Sequence, residues 1–196
     1  MMEKIEIARR ELGAALQLFL DDACPVSVHV LAAAGAEIVE GLAIHLGEPP
    51  FRDLILKTLP HYSPKQVNDA MRIHANAFKH FTAFNGKPRD DAEAISIFND
   101  EENASLLHKG WKDYARVTKT MPLEAQATEI WYLSRAIGPS FCEGVGLQDR
   151  RFIGLRAMTY DAAKKVLQEI VTEMKGDAAI LADPRTERGP LMMRRL

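Results

Sequence analysis

Three observations predict an all-α protein. Apolar residues recur at the 3.6-residue helical period in each long segment, no alternating strand pattern of useful length occurs, and Ser, Thr, Pro and Gly stand where helices start and stop. With 196 residues, 47% of them hydrophobic, the chain can bury a sizeable core, and that length fits one domain with an elaborated end. The expected division is a helical bundle over residues 1–137 and a C-terminal helical extension and tail over residues 138–196.

In the first segment Ile5, Ala8, Leu12, Ala15, Leu16 and Phe19 form one helical stripe, which Asp21 and Asp22 close before Pro25 opens a second helix at a position suited to a first turn. The two pair antiparallel. The run from Ala32 to Ala36 holds only Ala and Gly, so a neighbouring backbone can approach closely and the helix reads as a central element. Glu37 and Glu40 interrupt its apolar surface, and at least one of them needs a cationic or hydrogen-bonding partner. Gly47, Pro49 and Pro50 break this helix, and an apolar piece over residues 51–59 reads as a connector with one short helix.

The next start signal is strong. Ser63 can cap, Pro64 suits the first turn and Gln66 completes a capping box, giving a third main helix over residues 64–84 that ends near Asn85 and Gly86. A turn-rich segment from Gly86 leads to Asp100, Glu101 and Glu102, carboxylates that suit the N-terminus of a fourth helix carrying Leu107, Trp111 and Tyr114. Pro122 begins a fifth, through Trp131 to Ile137, and Gly138, Pro139, Gly144 and Gly146 mark a loop. Gly144 and Gly146 lack the third glycine and the preceding strand of a dinucleotide fingerprint. Thr159 caps a helix with the stripe Ala163, Val166, Leu167, Ile170, Val171 and Met174, which Gly176 stops. The tail with Arg185, Arg188, Arg194 and Arg195 reads as a frayed terminus, with a partner-docking peptide as the alternative. No internal repeat is present.

Composition narrows the function. A net charge of -2 argues against a protein that coats nucleic acid through its overall charge, although a local basic stripe can still hold a phosphate. Cys24 and Cys142 do not form a disulfide framework, and the N-terminus alternates charged with apolar residues, so a cytoplasmic location is expected. The mostly apolar run over residues 25–46 is interrupted by Ser27, His29, Glu37 and Glu40, which argues for a buried helix over a membrane span. His29, His45, His61, His74, His80 and His108 are scattered without the spacing of a metal motif, so neither a metal nor another cofactor is expected. His74 reads as a packed core histidine.

The chemistry concentrates on the third main helix. At about 100° per residue, Arg72, Asn76, Lys79 and His80 share one arc, with Ala70, Ile73, Ala77 and Phe81 on the opposite side. Arg72 presents forked donors for a phosphate, Lys79 adds a second cation for substrate, His80 can move a proton near neutral pH and Asn76 stands one turn before it. Those roles fit metal-free cleavage of RNA. The same residue types also make an ordinary solvated helix face.

The segments ARRELGAALQLFLDDACPVSVHVLAAAGAEI, NAFKH, the stretch Phe98 to Asn103 and MPLEAQATEIWY resemble a family of uncharacterised bacterial all-helical proteins over residues 3–137. A helix pair followed by a helix bearing Arg, Asn and His is similar, in turn, to HEPN domains. That resemblance implies a HEPN-like bundle, a homodimer, and a metal-independent ribonuclease or toxin component in which Arg and His meet across the subunit interface. Arg72 would be the phosphate-binding arginine, His80 the catalytic histidine and Asn76 a polar support. Seven residues separate Arg72 from His80, where the HEPN pattern has four to six, and Ile73 stands where a polar residue is usual. Two function classes follow: an RNA-binding or RNA-cleaving protein, and a non-catalytic helical interaction module with an unidentified protein partner.

Overall fold

The computed structural model describes residues 3–83, 85–147 and 149–193. Phe84 at the expected end of the third main helix, and Arg194 and Arg195 of the basic tail, lie outside the described residues. The architecture is all-α, with eleven α-helices and two strands of two residues each among the described residues. It divides into two compact units, one running up to Val117 and including the segment from Met192, the other Thr118–Leu191. This partition places the helix around Trp131 with the C-terminal segment, whereas the sequence reading drew the boundary at residue 137.

The first unit is built on a hairpin of α1 (Lys4–Leu20) and α2 (Pro25–His45). Ala8, Leu12, Ala15, Leu16 and Phe19 are buried as the stripe predicts, against Val28, Ala32, Ala36 and Val39 of α2 within the core. Two glycines allow the close approach. A methyl group at Gly35 would stand 2.7 Å from Leu12 Cγ, and one on Gly110 of α6 (Asp100–Thr118) would stand 2.6 Å from Leu12 Cδ2. Leu12 is thus seated between helices that carry no side chain at the contact. By length and composition α2 is apolar enough to cross a membrane, a property that core helices share.

Between α2 and α6 lie α3 (Phe51–Thr58), α4 (Pro64–Lys79) and α5 (Ala92–Ile97). Asp113 of α6 accepts the Phe51 N–H at 2.7 Å and pairs with Arg116 at 3.0 Å, which fixes the start of α3. The expected capping box opens α4: Ser63 Oγ accepts the Gln66 N–H at 3.3 Å, and the Ser63 N–H donates to Gln66 Oε1 at 2.9 Å. Asp100, Glu101 and Glu102 occupy the first turn of α6 as expected.

The end of α4 differs from expectation. It stops at Lys79, and His80 is its C-cap in an extended conformation, φ -124° and ψ 117°. The chain then doubles back: Thr82 bridges Pro88, and the Arg89 N–H donates to the Phe81 carbonyl at 3.0 Å. Phe81, assigned to the apolar face, is 81% exposed.

In the second unit β1 (Met121–Pro122) leads into α7 (Leu123–Ile137), followed by α8 (Pro139–Gly144), α9 (Arg150–Gly154), a 3-10 turn (Leu155–Ala157), α10 (Tyr160–Met174), α11 (Ala178–Ala182) and β2 (Thr186–Glu187). The loop expected after Gly138 contains α8; Gly138 itself, at φ +88°, separates it from α7. Trp131, fully buried, donates its indole N–H to the Ala163 carbonyl of α10 at 2.7 Å, which satisfies the one polar atom that its burial would strand. Thr159 caps α10 as the sequence indicates.

The tail is not frayed at its start. β2 pairs in parallel with β1, Met121 opposite Thr186, and Gln126 Nε2 donates both to the Met121 carbonyl and to Thr186 Oγ1 at 2.9 Å. Those bonds supply the backbone and side-chain partners that a composition-based reading of residues 185–187 could not see.

Candidate functional site

On its polar stripe α4 keeps Arg72, Lys79 and the cap residue His80 exposed and Asn76 half-buried. Its buried residues are Val67, His74 and Ala75, with Met71 and Phe78 half-buried, a stripe rotated by about 100° from the expected Ala70, Ile73 and Ala77. Ala70 and Ile73 are exposed instead. The rotation sets Arg72, Asn76 and Lys79 beside the contact between α4 and α2, where they border a cleft of about 190 Å³. His80 joins them although it has left the helix. All four sequence-predicted residues therefore line one cleft, held there by the flank of α4 and its cap rather than by a shared helical face.

A broader hollow of about 790 Å³ continues from this cleft, with Asn68, Arg72, Asn76 and His80 on both walls. The doubling-back loop after His80 delivers Arg89 to it. Asp91 orients that guanidinium with two oxygens, at 2.7 to 3.1 Å, and their pairing holds the Asp91 carboxyl below the usual range.

The floor of the cleft is a charge network that no sequence motif signals. Glu40, 8% exposed, accepts Lys109 Nζ at 2.6 Å and pairs with Arg52 at 2.7 Å; Arg52 also donates to Asn68 at 3.2 Å. One carboxylate between two cations satisfies the expectation that a glutamate on the apolar α2 needs a partner. Asp53 also lies 4.0 Å from Arg52, so two carboxylates face two cations and the network is close to neutral. At the rim Glu37 pairs with Arg72 at 3.4 Å, both side chains being well exposed.

The side chains of Asn76 and His80 make no hydrogen bond or ion pair among the described residues. Lys79 acts electrostatically on Glu11, whose carboxyl burial pushes up and whose rise Lys79 and Lys4 oppose. The cleft thus presents an imidazole and an amide open to a ligand, one guanidinium held by an exposed carboxylate, the Lys79 ammonium, and a floor of paired charges. That combination can hold a phosphodiester and exchange a proton with it.

Other sequence candidates fall elsewhere. His74, 7% exposed, is packed among His29, Phe78 and Phe98, with ring centroids 5.2 to 6.3 Å away, as its core reading requires. Cys24 is exposed and Cys142 buried, and both are free. Hydrogen bonds from Ser27 and Val26 pull the Cys24 thiol below its ordinary value. Among the described residues no three His, Cys, Asp or Glu side chains converge as a metal site. No family model, curated protein or solved structure matches the chain.

Proposed function

We propose that this chain is a HEPN-like protein that binds single-stranded RNA in the α4 cleft and cleaves it without a metal. The supporting observation is the convergence of Arg72, Asn76, Lys79 and His80 on one cleft, with the Asn76 and His80 side chains carrying no hydrogen bond among the described residues. Arg72 and Lys79 hold the phosphate, and Asn76 donates to a phosphate or sugar oxygen. The His80 imidazole accepts the 2′-hydroxyl proton. The 2′-oxygen then attacks phosphorus, the bond to the 5′-oxygen breaks, and the leaving oxygen takes the proton back from the imidazolium, giving a cyclic phosphate and a 5′-hydroxyl end.

The reading includes a cytoplasmic homodimer. Exposed Ile73 and Phe81, next to the cleft residues in sequence, supply apolar surface for a second copy. The same surface supports the other reading, a helical module that docks a different protein.

Fluorescence anisotropy with a labelled single-stranded RNA in EDTA, alongside sedimentation at micromolar concentration, tests the proposal. Arg72→Ala should weaken binding by about 1.5–3 kcal/mol, the range for a hydrogen bond to a charged group. His80→Ala should suppress cleavage while binding persists. If both variants melt like the parent and match it in binding and turnover, the cleft assignment fails and the interaction-module reading replaces it.

A further inference from the structure

The α4 cleft, at about 190 Å³, falls below the range of about 300–1,000 Å³ in which ligand pockets usually lie, whereas the hollow that continues from it, at about 790 Å³, falls within that range. Arg72 and His80 border both spaces, so a ligand that they hold finds most of its room in the hollow. Three further residues there, Asn68, Thr82 and Arg89, have no part in the chemistry proposed for the cleft.

Each of the three brings a hydrogen-bond donor that the fold leaves uncommitted. Asn68 accepts from Arg52 Nη1 through its oxygen at 3.2 Å, which fixes the amide and leaves Nδ2 to donate elsewhere. Glu40 holds Arg52 in turn at 2.7 Å, so the floor of the cleft sets that amide. Asp91 takes Nε and Nη2 of Arg89 side-on, at 2.7 to 3.1 Å, and Arg89 Nη1 has no hydrogen bond among the described residues. The Thr82 hydroxyl has none there either. The bridge between Thr82 and Pro88 and the bond from the Arg89 N–H to the Phe81 carbonyl at 3.0 Å set these last two donors on one doubled-back loop. Net charge contributes little, because Lys65 pairs with Asp69, Arg72 with Glu37 and Arg89 with Asp91. What the hollow offers is directed donors, which suit a ligand rich in acceptor oxygens such as a sugar–phosphate strand.

We infer that the hollow is a second nucleotide subsite, in which Arg89 Nη1 donates to the phosphate next to the one held by Arg72 and Lys79, while Asn68 Nδ2 and Thr82 Oγ1 donate to oxygens of the sugar–phosphate link between them. The inference rests on the RNA reading of the α4 cleft and adds the substrate class: strands with at least two consecutive phosphates, a dinucleoside monophosphate being a poor ligand. An arginine already fixed by Asp91 loses little side-chain freedom when it meets a phosphate, so little of the contact is offset by ordering.

Uncleavable 2′-O-methyl uridine oligomers are the probes, the dimer carrying one phosphate and the trimer two. Titrations of the full nitrogen-15-labelled chain, read from amide shifts, should show the trimer binding tighter by about tenfold, the lower end for a hydrogen bond to a charged group. Arg89→Ala should remove that gain and leave the affinity for the dimer unchanged, whereas Arg72→Ala should weaken dimer and trimer alike. Should Arg89→Ala fail to fold, Thr82→Val, which keeps the shape of the side chain, should cut the gain severalfold with the dimer again unchanged. Lys57→Ala, on α3 and outside the hollow, removes the same charge and should leave the gain intact. Equal affinity for dimer and trimer, a gain that survives Arg89→Ala or Thr82→Val, or an equal loss in Lys57→Ala would each overturn the subsite. Dimer binding that Arg72→Ala weakens upholds the cleft in every one of those cases, so the two readings fail separately, while failure of both probes to bind overturns both.

Discussion

The α1–α2 hairpin and α4 announce themselves by the same helical periodicity, yet only in the hairpin does the periodicity identify the face that is buried. In α1 every strongly apolar stripe residue from Ala8 to Phe19 is in the core. In α4 the apolar residues are mostly small or ambiguous, and the inward stripe of buried Val67, His74 and Ala75 with half-buried Met71 and Phe78 runs through a histidine. A stripe of Leu and Phe dictates its own burial through transfer free energy, whereas one of Ala and His is buried or exposed according to what its neighbours offer. For α4 the neighbours are the rings of His29 and Phe98, and they rotate the helix so that its cations border a cleft.

The largest expected effect tests the hairpin. Leu12 fills the space between the bare backbones at Gly35 and Gly110, so Leu12→Ala leaves a void that rigid helices cannot close. A loss of roughly 3–5 kcal/mol is expected, against about 1–2 kcal/mol for Val67→Ala on α4, from the cavity term of core truncations. Urea melts of the two variants measure the ratio. A Val67→Ala effect as large as that of Leu12→Ala would show that α4 is as deeply integrated as the hairpin.

Acid should separate the two regions next. Burial lowers the His29 pKa from 6.5 to about 4, and the same cause takes His108 to about 4. Unfolded chain binds the proton that the folded ring refuses, so stability is complete above about pH 6.5 and falls as pH drops towards 4, by roughly 3 kcal/mol for each histidine. His29 sits on α2 but stands against His74 and Phe78 of α4, so hydrogen exchange at pH 4.5 should expose the amides of α4 and the start of α2 before those of α1. Simultaneous loss of protection in α1 and α4 would argue that the bundle opens as a single unit.

A smaller effect concerns how α4 starts. Ser63→Ala removes the capping hydroxyl of a box in which both reciprocal hydrogen bonds are made, and should lower stability by about 1 kcal/mol. Circular dichroism melts would show it, and Ser63→Asp, which keeps the cap, should restore most of the loss.

This capping box shows what the sequence makes legible. Helix starts at Pro25, Pro64 and Tyr160 depend on local chemistry that adjacent residues carry, and each stands where the residues indicate. Residues of the candidate site were also legible as a group, because a cation, an amide and an imidazole at helical spacing are visible without a fold. Their surroundings were not. Glu40 meets Lys109 from a helix far along the chain and Arg52 from the helix that follows, and Arg89 arrives only because the loop after His80 doubles back. The helical phase of His80 was misleading for a related reason: whether α4 continues past Lys79 depends on the bridge between Thr82 and Pro88, a pairing no local propensity encodes.

The smallest expected change in stability carries the sharpest test of the rotated stripe. Glu37 and Arg72 form an ion pair at the cleft rim with both side chains exposed, and such pairs contribute at most about 1 kcal/mol. Glu37→Gln should therefore leave the melting curve almost unchanged. Its effect on the proposed RNA contact should be larger, because a phosphate must displace the Glu37 carboxylate to reach the Arg72 guanidinium. Removing that competitor raises affinity, by up to about fivefold if the displaced bond is worth what an exposed charged pair usually is. Glu93→Gln, on α5, is the control, since it changes net charge equally without touching Arg72. An equal gain from both substitutions would mean that RNA responds only to overall charge. A gain confined to Glu37→Gln, abolished when Arg72→Ala is added, would tie phosphate binding to the flank of α4 that the rotation turns towards α2.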